Sequence, residues 1–351
     1  MHEAFTLEAL LKTYTIEGEL CETHPDNSLT CFACGHRCLI REGREGICRV
    51  RFNSGGKLFV PANYAAGIQC DPTEKKPFYH VHPGSLAVTF GMLGCDYHCS
   101  YCQNWVTSQA LRDARAVARP RDVKPVDLID LGKRHNAALV VSSYNEPLIT
   151  SEWAMQVFKL AKEAGFVTGY VSNGNATPEV LDYIRPFTDL YKIDLKSFQD
   201  KNYRKLGGVL QNVLDTIAMV HERGFWLEIV TLLVPGFNDS DDEVKAMAEF
   251  VAGISPDIPW HVTAFHQDYR MNEPDNTSPH TLLRAAENGR QAGLKFVYAG
   301  NLPGHVGDLE NTYCPSCHKK LISRFGFQIL ENHLIKGCCS CGEVIPGVWP
   351  A

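Results

Sequence analysis

The sequence of 351 residues predicts an α/β fold, either a barrel or a doubly wound sheet, with a small cysteine-rich segment on each side of it. Short apolar runs alternate with amphipathic segments from Leu86 to about Tyr298, as expected for repeated βα units. The runs are rich in β-branched residues and largely apolar, which is typical of parallel strands buried on both faces. Most of the cysteines lie in the two flanking segments.

Seven apolar runs qualify as strands of this sheet. They are Leu86–Phe90, Ala138–Ser142, Val167–Val171, Leu190–Ile193, Trp226–Val234, His261–Phe265 and Lys295–Tyr298. The carboxyl ends of parallel strands meet at one edge, and both candidate folds place their active sites there. We therefore expect the functional residues directly after these runs.

Amphipathic segments between the runs are predicted to be helices, and two of them carry clear N-terminal signals. Thr177-Pro178-Glu179 offers an N-cap followed by proline at the first helical position. Ser240, with Glu243 three residues later, offers a capping box. The predicted helices cover residues 151–163, 177–183, 209–222 and 240–251.

Composition excludes several classes of protein. Hydrophobic residues make up 44% of the chain and charged residues 21%, which excludes a disordered chain, and the length excludes a disulfide-dependent mini-fold. The formal net charge of −6 argues against a nucleic-acid partner. Apolar runs such as Ala137–Val141 are too short to span a bilayer, so no membrane partner is expected. Residues 1–5 do not open a secretory signal, and we expect a cytoplasmic protein.

The chain is expected to divide into three parts. Residues 1–85 form a cysteine-rich segment, residues 86–304 form the α/β core, and residues 305–351 form a second cysteine-rich segment. The two flanking parts are too poor in apolar residues to fold without a metal or without packing on the core.

Eleven of the fourteen cysteines fall into three groups. CxxC-type spacing in a large chain without a signal sequence favours metal binding over disulfides, because neighbouring thiolates can converge on one ion or cluster. The groups are Cys31, Cys34, Cys38 and Cys48; Cys95, Cys99 and Cys102; and Cys314, Cys317, Cys338 and Cys341.

The two outer groups differ in regularity. Two CxxC pairs, Cys314 with Cys317 and Cys338 with Cys341, predict a zinc ribbon, with Cys339 as a bystander. In the N-terminal group nine residues separate Cys38 from Cys48, and structural zinc and an auxiliary iron–sulfur cluster both remain open. His36 is an alternative ligand there.

The central group follows the first predicted strand with the spacing CxxxCxxC. Three thiolates can hold three irons of a cubane cluster and leave the fourth iron open for an exogenous ligand. A zinc site completed by His98 or by a distant cysteine is the alternative.

CxxxCxxC with Tyr101 before the last cysteine resembles the radical S-adenosylmethionine (SAM) superfamily, and further segments resemble pyruvate formate-lyase activating enzymes. That resemblance implies a partial (βα)6 barrel. Asn145 replaces a glycine of the family, and Val171 replaces an aspartate that helps hold a monovalent cation. The matching segments, in chain order, are Tyr144-Asn145-Glu146-Pro147, Ser172-Asn173-Gly174, Asp194-Leu195-Lys196, Val234-Pro235-Gly236-Phe237-Asn238-Asp239 and Phe265-His266.

The resemblance also implies the cofactors and their ligands. Cys95, Cys99 and Cys102 would hold a [4Fe–4S] cluster whose open iron binds SAM, and a ferredoxin or flavodoxin would supply the electron. We expect one of Asp194 and Lys196 to be structural, and a core position is the alternative for His266. The residues implied to contact SAM are Tyr101, Asn145, Glu146, Ser172, Asn173, Asp194, Lys196 and His266.

A closer resemblance covers nearly the whole chain. Cys31 to Cys48, the segment Asp71–Pro77 before His80, and the C-terminal cysteines resemble the radical SAM enzyme of the AmmeMemoRadiSam system. It implies Memo-type and AMMECR-type protein partners and names no substrate. Lys75, Lys76, His80 and His82 are expected to form a solvated face, and a substrate-facing position is the alternative.

Three functions follow from the sequence. The first is a radical SAM oxidoreductase acting on a small molecule or peptide. The second is an activase that installs a glycyl radical on a protein partner. The third is a zinc-dependent scaffold or binding module, against which the open three-cysteine site argues.

Overall fold

The computed structural model describes residues 6–350, and its centre is one eight-stranded sheet. The seven predicted strands all lie in this sheet, with ends within two residues of those predicted. In chain order the strands are β1 (Gly67–Pro72), β2 (Leu86–Gly91), β3 (Leu139–Ser142), β4 (Val167–Ser172), β5 (Leu190–Asp194), β6 (Trp226–Leu233), β7 (Trp260–Ala264) and β8 (Val297–Gly300).

The strand order decides between the two predicted architectures. Neighbours in the sheet follow the order of the chain from β1 to β8 without reversal, whereas a doubly wound sheet reverses its order at a switch point. Strands β2 to β8 are parallel, and β1 pairs antiparallel with β2 at one edge. The sheet is therefore singly wound, as in a partial barrel. It has seven parallel strands, one more than the resemblance implies.

Helices connect successive parallel strands and cover the sheet. Between β3 and β4, Trp153 of one helix packs edge-on against Phe90 of β2, and both side chains are fully buried. Thr177 caps its helix as predicted, accepting a hydrogen bond from the Val180 amide. The crossover helices are Pro125–Arg134, Ser151–Glu163, Pro178–Ile184, Asp200–Leu206, Leu210–Glu222, Asp241–Ile254 and Pro279–Gln291.

The capping box predicted at Ser240 is wrong. Ser240 is the N-cap residue, but its side chain makes no capping hydrogen bond. The carboxylate of Glu243 accepts instead from Ser197 and from the Phe198 amide, which belong to the loop after β5. Glu243 is thus bound by residues distant in the chain and is not available for the capping box with Ser240.

The N-terminal segment docks on the core through a buried ion pair. Arg51 and Glu152 are both almost fully buried, and two guanidinium nitrogens lie 2.7 Å from the two carboxylate oxygens. Strand β1, from the same segment, belongs to the central sheet rather than to a separate unit. The remaining N-terminal strands, in small antiparallel pairs and triples, are Thr15–Glu17, Cys21–Thr23, Leu29–Cys31, Leu39–Ile40, Phe52–Ser54, Lys57–Pro61 and Tyr64–Ala65, the last paired with Arg121–Asp122.

The C-terminal segment forms a three-stranded sheet of Thr312–Tyr313, Lys320–Phe325 and Gln328–Asn332. It docks on residues that precede β2. His80 is fully buried, with its ring nitrogens 2.6 Å from the Pro346 carbonyl and 2.7 Å from the Tyr298 hydroxyl. Burial lowers the pKa of His80 to about 4. The predicted solvated position of His80 is therefore wrong, because the C-terminal segment covers it.

Within residues 6–350, no helix is both long and apolar enough to cross a membrane. Residues 1–5, on which the expectation about a secretory signal rests, lie outside the described part of the chain.

Candidate active site

The central cysteine loop lies at the carboxyl end of β2, and a cavity of about 410 Å³ opens beside it. Cys99 and Cys102 line this cavity together with Tyr101. Side chains from β4, β5, β6 and β7 form one part of its wall, and residues between 74 and 79 form another, so the cavity lies against the sheet. Its size is that of a small-molecule site.

The cysteine loop packs against the segment around residues 206–208, which follows β5. The His98 amide donates to the Leu206 carbonyl at 2.9 Å. A Cβ atom at Gly208 would lie 2.3 Å from the Tyr97 ring, so only glycine allows this approach. His98 itself is exposed and packs against Gly207. Among the described residues it joins no group at metal-ligand spacing, and it is not placed as a fourth ligand.

The three thiols suit a cubane cluster better than a single ion. They do not gather within 4.8 Å of one another, as ligands of one zinc ion would. In a cubane each thiolate binds a different iron. The Tyr97 amide lies 3.4 Å from the Cys95 sulfur, and the Ser108 hydroxyl 3.2 Å from the Cys102 sulfur. Hydrogen bonds of this kind tune cluster potentials, so the donor set fits the predicted [4Fe–4S] group.

A buried acidic network adjoins Cys95. Asp96 is fully buried and accepts from the side-chain amides of Asn173 at 2.7 Å and Asn175 at 2.8 Å. Glu146 accepts from the Ser172 hydroxyl and from the Asn173 amide, both at 2.7 Å. The two carboxylates thus share Asn173, and the segments after β3 and β4 meet at this point.

The acidic network lacks a nearby cation. Burial, and then the charge of Asp96, raises the pKa of Glu146 to about 8. Within residues 6–350 the nearest basic nitrogen is that of His36, 4.0 Å from Asp96. Two buried carboxylates without a cation are costly, and an ammonium group would relieve that cost. The network is therefore a candidate partner for the ammonium of SAM, although neither carboxylate lines the cavity.

One row of charged side chains faces the cavity from β5 and the residues directly after it. Lys192, Asp194 and Lys196 are two residues apart, and strand side chains with that spacing share a face. Lys192 and Lys196 both donate to Asp194, the latter at 3.1 Å. Burial opposes ionisation of Asp194, but the two ammonium charges lower its pKa to about 2. The expectation that one of Asp194 and Lys196 lies away from the site is wrong.

Lys76 contributes a further cation to the cavity wall. Its side chain is 3% exposed, and its ammonium lies 3.1 Å from Asp71 and 3.2 Å from the Tyr144 hydroxyl. Lys75 shares the same Asp71 carboxylate and is half-exposed. The predicted solvated face is therefore wrong for Lys76, which has a third N–H donor available for an anion.

A histidine–carboxylate pair forms the floor of the cavity. His261 lines the cavity, and its Nε2 lies 2.7 Å from Glu228. Glu228 is fully buried and also accepts from the Tyr79 and His80 amides, each at 3.0 Å. This arrangement fixes the orientation of the imidazole, as a carboxylate does in catalytic pairs.

The C-terminal cysteines form a compact group, but with one member other than predicted. The sulfur atoms of Cys314, Cys317, Cys339 and Cys341 all lie within 4.8 Å of one another. Cys338 forms an isolated β-bridge, and its sulfur lies 3.9 Å from the Lys336 carbonyl. Adjacent residues in extended backbone point in opposite directions, so only one of the neighbouring cysteines can face the group. The prediction of Cys338 as ligand and Cys339 as bystander is corrected accordingly.

Comparison with known proteins identifies the architecture. A model of the radical SAM superfamily matches residues 90–251. An uncharacterised protein of Methanocaldococcus jannaschii is 33% identical over 325 residues, which cover 91% of this chain and 96% of that protein. The chain belongs to the radical SAM superfamily.

Other radical SAM proteins are similar over the core. Pyruvate formate-lyase 1-activating enzyme of Escherichia coli K12 is 26% identical over 236 residues, covering 62% of this chain and 93% of that enzyme. A radical SAM methyltransferase from Sphaerobacter thermophilus aligns with a TM-score of 0.49 at 17% identity, over 63% of this chain and 68% of that chain. A domain of a pyruvate-formate lyase-activating enzyme from Bacteroides vulgatus aligns with a TM-score of 0.41 at 23% identity, over 46% of this chain and 98% of that chain. The predicted similarity to activating enzymes is confirmed.

The predicted SAM contacts of this radical SAM protein separate into three positions. Tyr101, Asp194 and Lys196 lie in the cavity wall. Glu146, Ser172 and Asn173 form the buried network beside Cys95, and Asn145 accepts from the Met92 amide at 3.0 Å, which holds the start of the cysteine loop. His266 is exposed and lies 3.0 Å from the Gln103 side chain, so its predicted alternative as a core residue is wrong.

Several residues of the radical SAM site were missed from the sequence. Lys192 was detectable, because a lysine two residues before Asp194 in an apolar run shares its face. Glu228 in the middle of the predicted strand 226–234 was a similar signal. Asp96 and Asn175 gave none, since only the meeting of distant loops shows their role.

Proposed function

We propose that this protein is a radical SAM enzyme that acts on a small molecule held in the cavity against the sheet. When bound, the [4Fe–4S] cluster and SAM supply a one-electron cleavage of the SAM C–S bond to methionine and a 5′-deoxyadenosyl radical, which abstracts hydrogen from the substrate. The observation that carries the proposal is the loop of Cys95, Cys99 and Cys102, whose three thiols do not gather at zinc spacing and two of which, Cys99 and Cys102, line a cavity.

The residues around the loop have separate tasks in this proposal. Glu146 and Asp96 attract the ammonium of SAM, and Lys196 pairs with its carboxylate at the cavity wall. The remaining side chains of the cavity wall then bind the substrate. Lys76 offers an ammonium to an anionic group of the substrate, and His261, fixed by Glu228, exchanges a proton with it.

An anaerobic assay tests this function directly. Protein reconstituted with iron and sulfide, then reduced in the presence of SAM, is expected to release 5′-deoxyadenosine and methionine in equal amounts. A reconstituted protein that produces neither would overturn the proposal. Added metabolite extract should increase the rate, and the new masses would identify the substrate.

Glu146→Gln is expected to weaken SAM binding by roughly 10- to 1,000-fold, because a buried carboxylate–ammonium contact is worth a few kcal/mol at about 1.4 kcal/mol per decade. The substitution keeps the size of the side chain and removes its charge. Titrating SAM into the reduced variant and following the cluster spectrum measures the change.

Ser172→Ala is the matched control for that measurement. It removes the 2.7 Å hydrogen bond to Glu146 but keeps the carboxylate charge. We expect its SAM affinity to fall less than 10-fold, as for loss of one hydrogen bond of about 1 kcal/mol. Equal affinities of Glu146→Gln and the native protein would remove Glu146 from the SAM site.

Glycyl-radical activation of a protein partner is the second candidate, favoured by the identity to the E. coli activating enzyme. Two features argue against this candidate. Val171 lines the cavity at the position where the activating enzymes have a cation-binding aspartate. Lys76 adds a buried charge to the cavity, which a glycine-containing loop of a partner protein does not require. A glycyl radical detected by electron paramagnetic resonance (EPR) on a partner protein would favour the activase.

We also propose a place in the AmmeMemoRadiSam system for this chain, on the cysteine and Asp71–Pro77 segments that resemble it. Memo-type and AMMECR-type proteins are then its partners, and a ferredoxin or flavodoxin its electron donor. Co-purification of the three proteins tests the association. Zinc is the proposed ion of the C-terminal group, because four thiols within 4.8 Å suit one tetrahedral ion.

A further inference from the structure

Among the described residues, only one of the three cysteine groups gathers at the spacing of a zinc site. The C-terminal sulfurs form close pairs, at 3.7 Å for Cys314 and Cys341 and 3.6 Å for Cys317 and Cys339. Zn–S bonds of about 2.3 Å at tetrahedral angles place sulfurs about 3.8 Å apart, so this group has zinc spacing. Among residues 6–350 no other set of three or more potential ligands gathers within 4.8 Å.

No three sulfurs of the N-terminal quartet of Cys31, Cys34, Cys38 and Cys48 lie within 4.8 Å of one another, and the same is true of the central triad. None of its members is in a disulfide, and three of the four are buried. A cubane places each thiolate on a different iron, which separates the sulfurs more than one zinc ion does. Within one chain, the quartet resembles the cluster loop and differs from the zinc-like group.

One backbone amide contacts a sulfur of the quartet. The Ile47 amide donates to the Cys38 sulfur at 3.5 Å. The fully buried guanidinium of Arg51, which is paired with Glu152, lies near Cys31 and Cys48. Amide donors and nearby cations both stabilise thiolate ligands and the negative charge of a cluster.

The quartet abuts the loop of the central cysteines. A Cβ atom at Gly94 would lie 3.0 Å from the Cys48 carbonyl, so the two backbones touch just before Cys95. Arg112 joins them by donating to the carbonyls of both Ile47 and Cys95, the latter at 2.8 Å. Asp96 approaches from the other side, 4.0 Å from His36.

We propose that Cys31, Cys34, Cys38 and Cys48 bind a second [4Fe–4S] cluster, which passes electrons to the cluster of the central loop. This inference rests on the proposed function. One electron leaves an external donor of ferredoxin or flavodoxin type, enters the cluster at the quartet, and is delivered to the central cluster for cleavage of SAM. Each transfer oxidises one carrier and reduces the next by one electron. With four protein ligands the quartet leaves no open iron, so its cluster carries electrons and does not bind SAM.

Metal analysis of the full-length protein, reconstituted with iron and sulfide, tests the proposal. The native chain is expected to hold about eight iron atoms and one zinc. The triple variant Cys95→Ala, Cys99→Ala, Cys102→Ala should retain about half of the iron and give, on reduction, an EPR signal that SAM does not change. An iron-free triple variant with a second zinc would overturn the proposal.

Single variants test the proposal even if the triple variant does not fold. Cys38→Ser should lose about half of the native iron, while Cys21→Ser should keep all of it, because Cys21 is half-buried beside Cys31 and outside the quartet. Full iron in Cys38→Ser would overturn the proposal. Failure of the proposed function is distinct: Cys38→Ser would then hold no iron at all, because only the quartet would have bound a cluster.

Discussion

Replacing Cys99 with alanine is expected to remove most of the iron of the central loop and to abolish the release of 5′-deoxyadenosine from SAM. Cys99 is buried at the cavity wall, and its thiol is one of only three protein ligands that the loop offers. Because the remaining two thiolates cannot hold a site-differentiated cubane, the cluster that cleaves SAM is lost. Iron analysis and the visible spectrum of the anaerobic variant, with a 5′-deoxyadenosine assay, measure the result.

The matched control for this variant is Cys70→Ser. Cys70 is a free, half-buried cysteine on β1, outside all three groups. Native iron, zinc and SAM cleavage are expected for it. Full iron retention and undiminished cleavage in Cys99→Ala would contradict the assignment of the central loop.

Cys339→Ser is expected to release about one zinc per chain and to expose residues 305–350 to protease. Metal binding in small cysteine-rich units contributes folding free energy of order 10 kcal/mol, and the segment has few other buried apolar side chains to replace it. Zinc analysis and limited proteolysis measure the loss. The core should keep its iron, since the sheet and the cysteine loop do not depend on this group.

Cys338→Ser separates the two candidate ligand sets. Its sulfur faces the Lys336 carbonyl, so zinc content and protease resistance should be those of the native protein. The reverse pattern, with zinc lost from Cys338→Ser and kept in Cys339→Ser, would return Cys338 to the ligand set. Unchanged zinc in both variants would remove this pair from metal binding altogether.

Local sequence patterns predict most strands of the sheet and several residues of the candidate site. The strands of the parallel sheet follow from apolar runs, because a strand buried on both faces needs an apolar side chain at nearly every position. The central triad is predicted from spacing alone, since thiolates four and three residues apart on one loop can reach one cluster. Lys192 was predictable in the same way, because a lysine two residues before Asp194 lies on the same face of the strand.

Contacts between distant residues decided the rest. Lys76 and His80 read as solvated polar residues until the docked C-terminal segment and the cavity wall buried them. Asp96 becomes part of the site only because the loops after β3 and β4 bring Glu146 and Asn173 beside it. The choice between Cys338 and Cys339 depends on the direction of each side chain in a bridge. Sequence specifies which groups are present, whereas burial and partner geometry arise from packing of segments far apart in the chain.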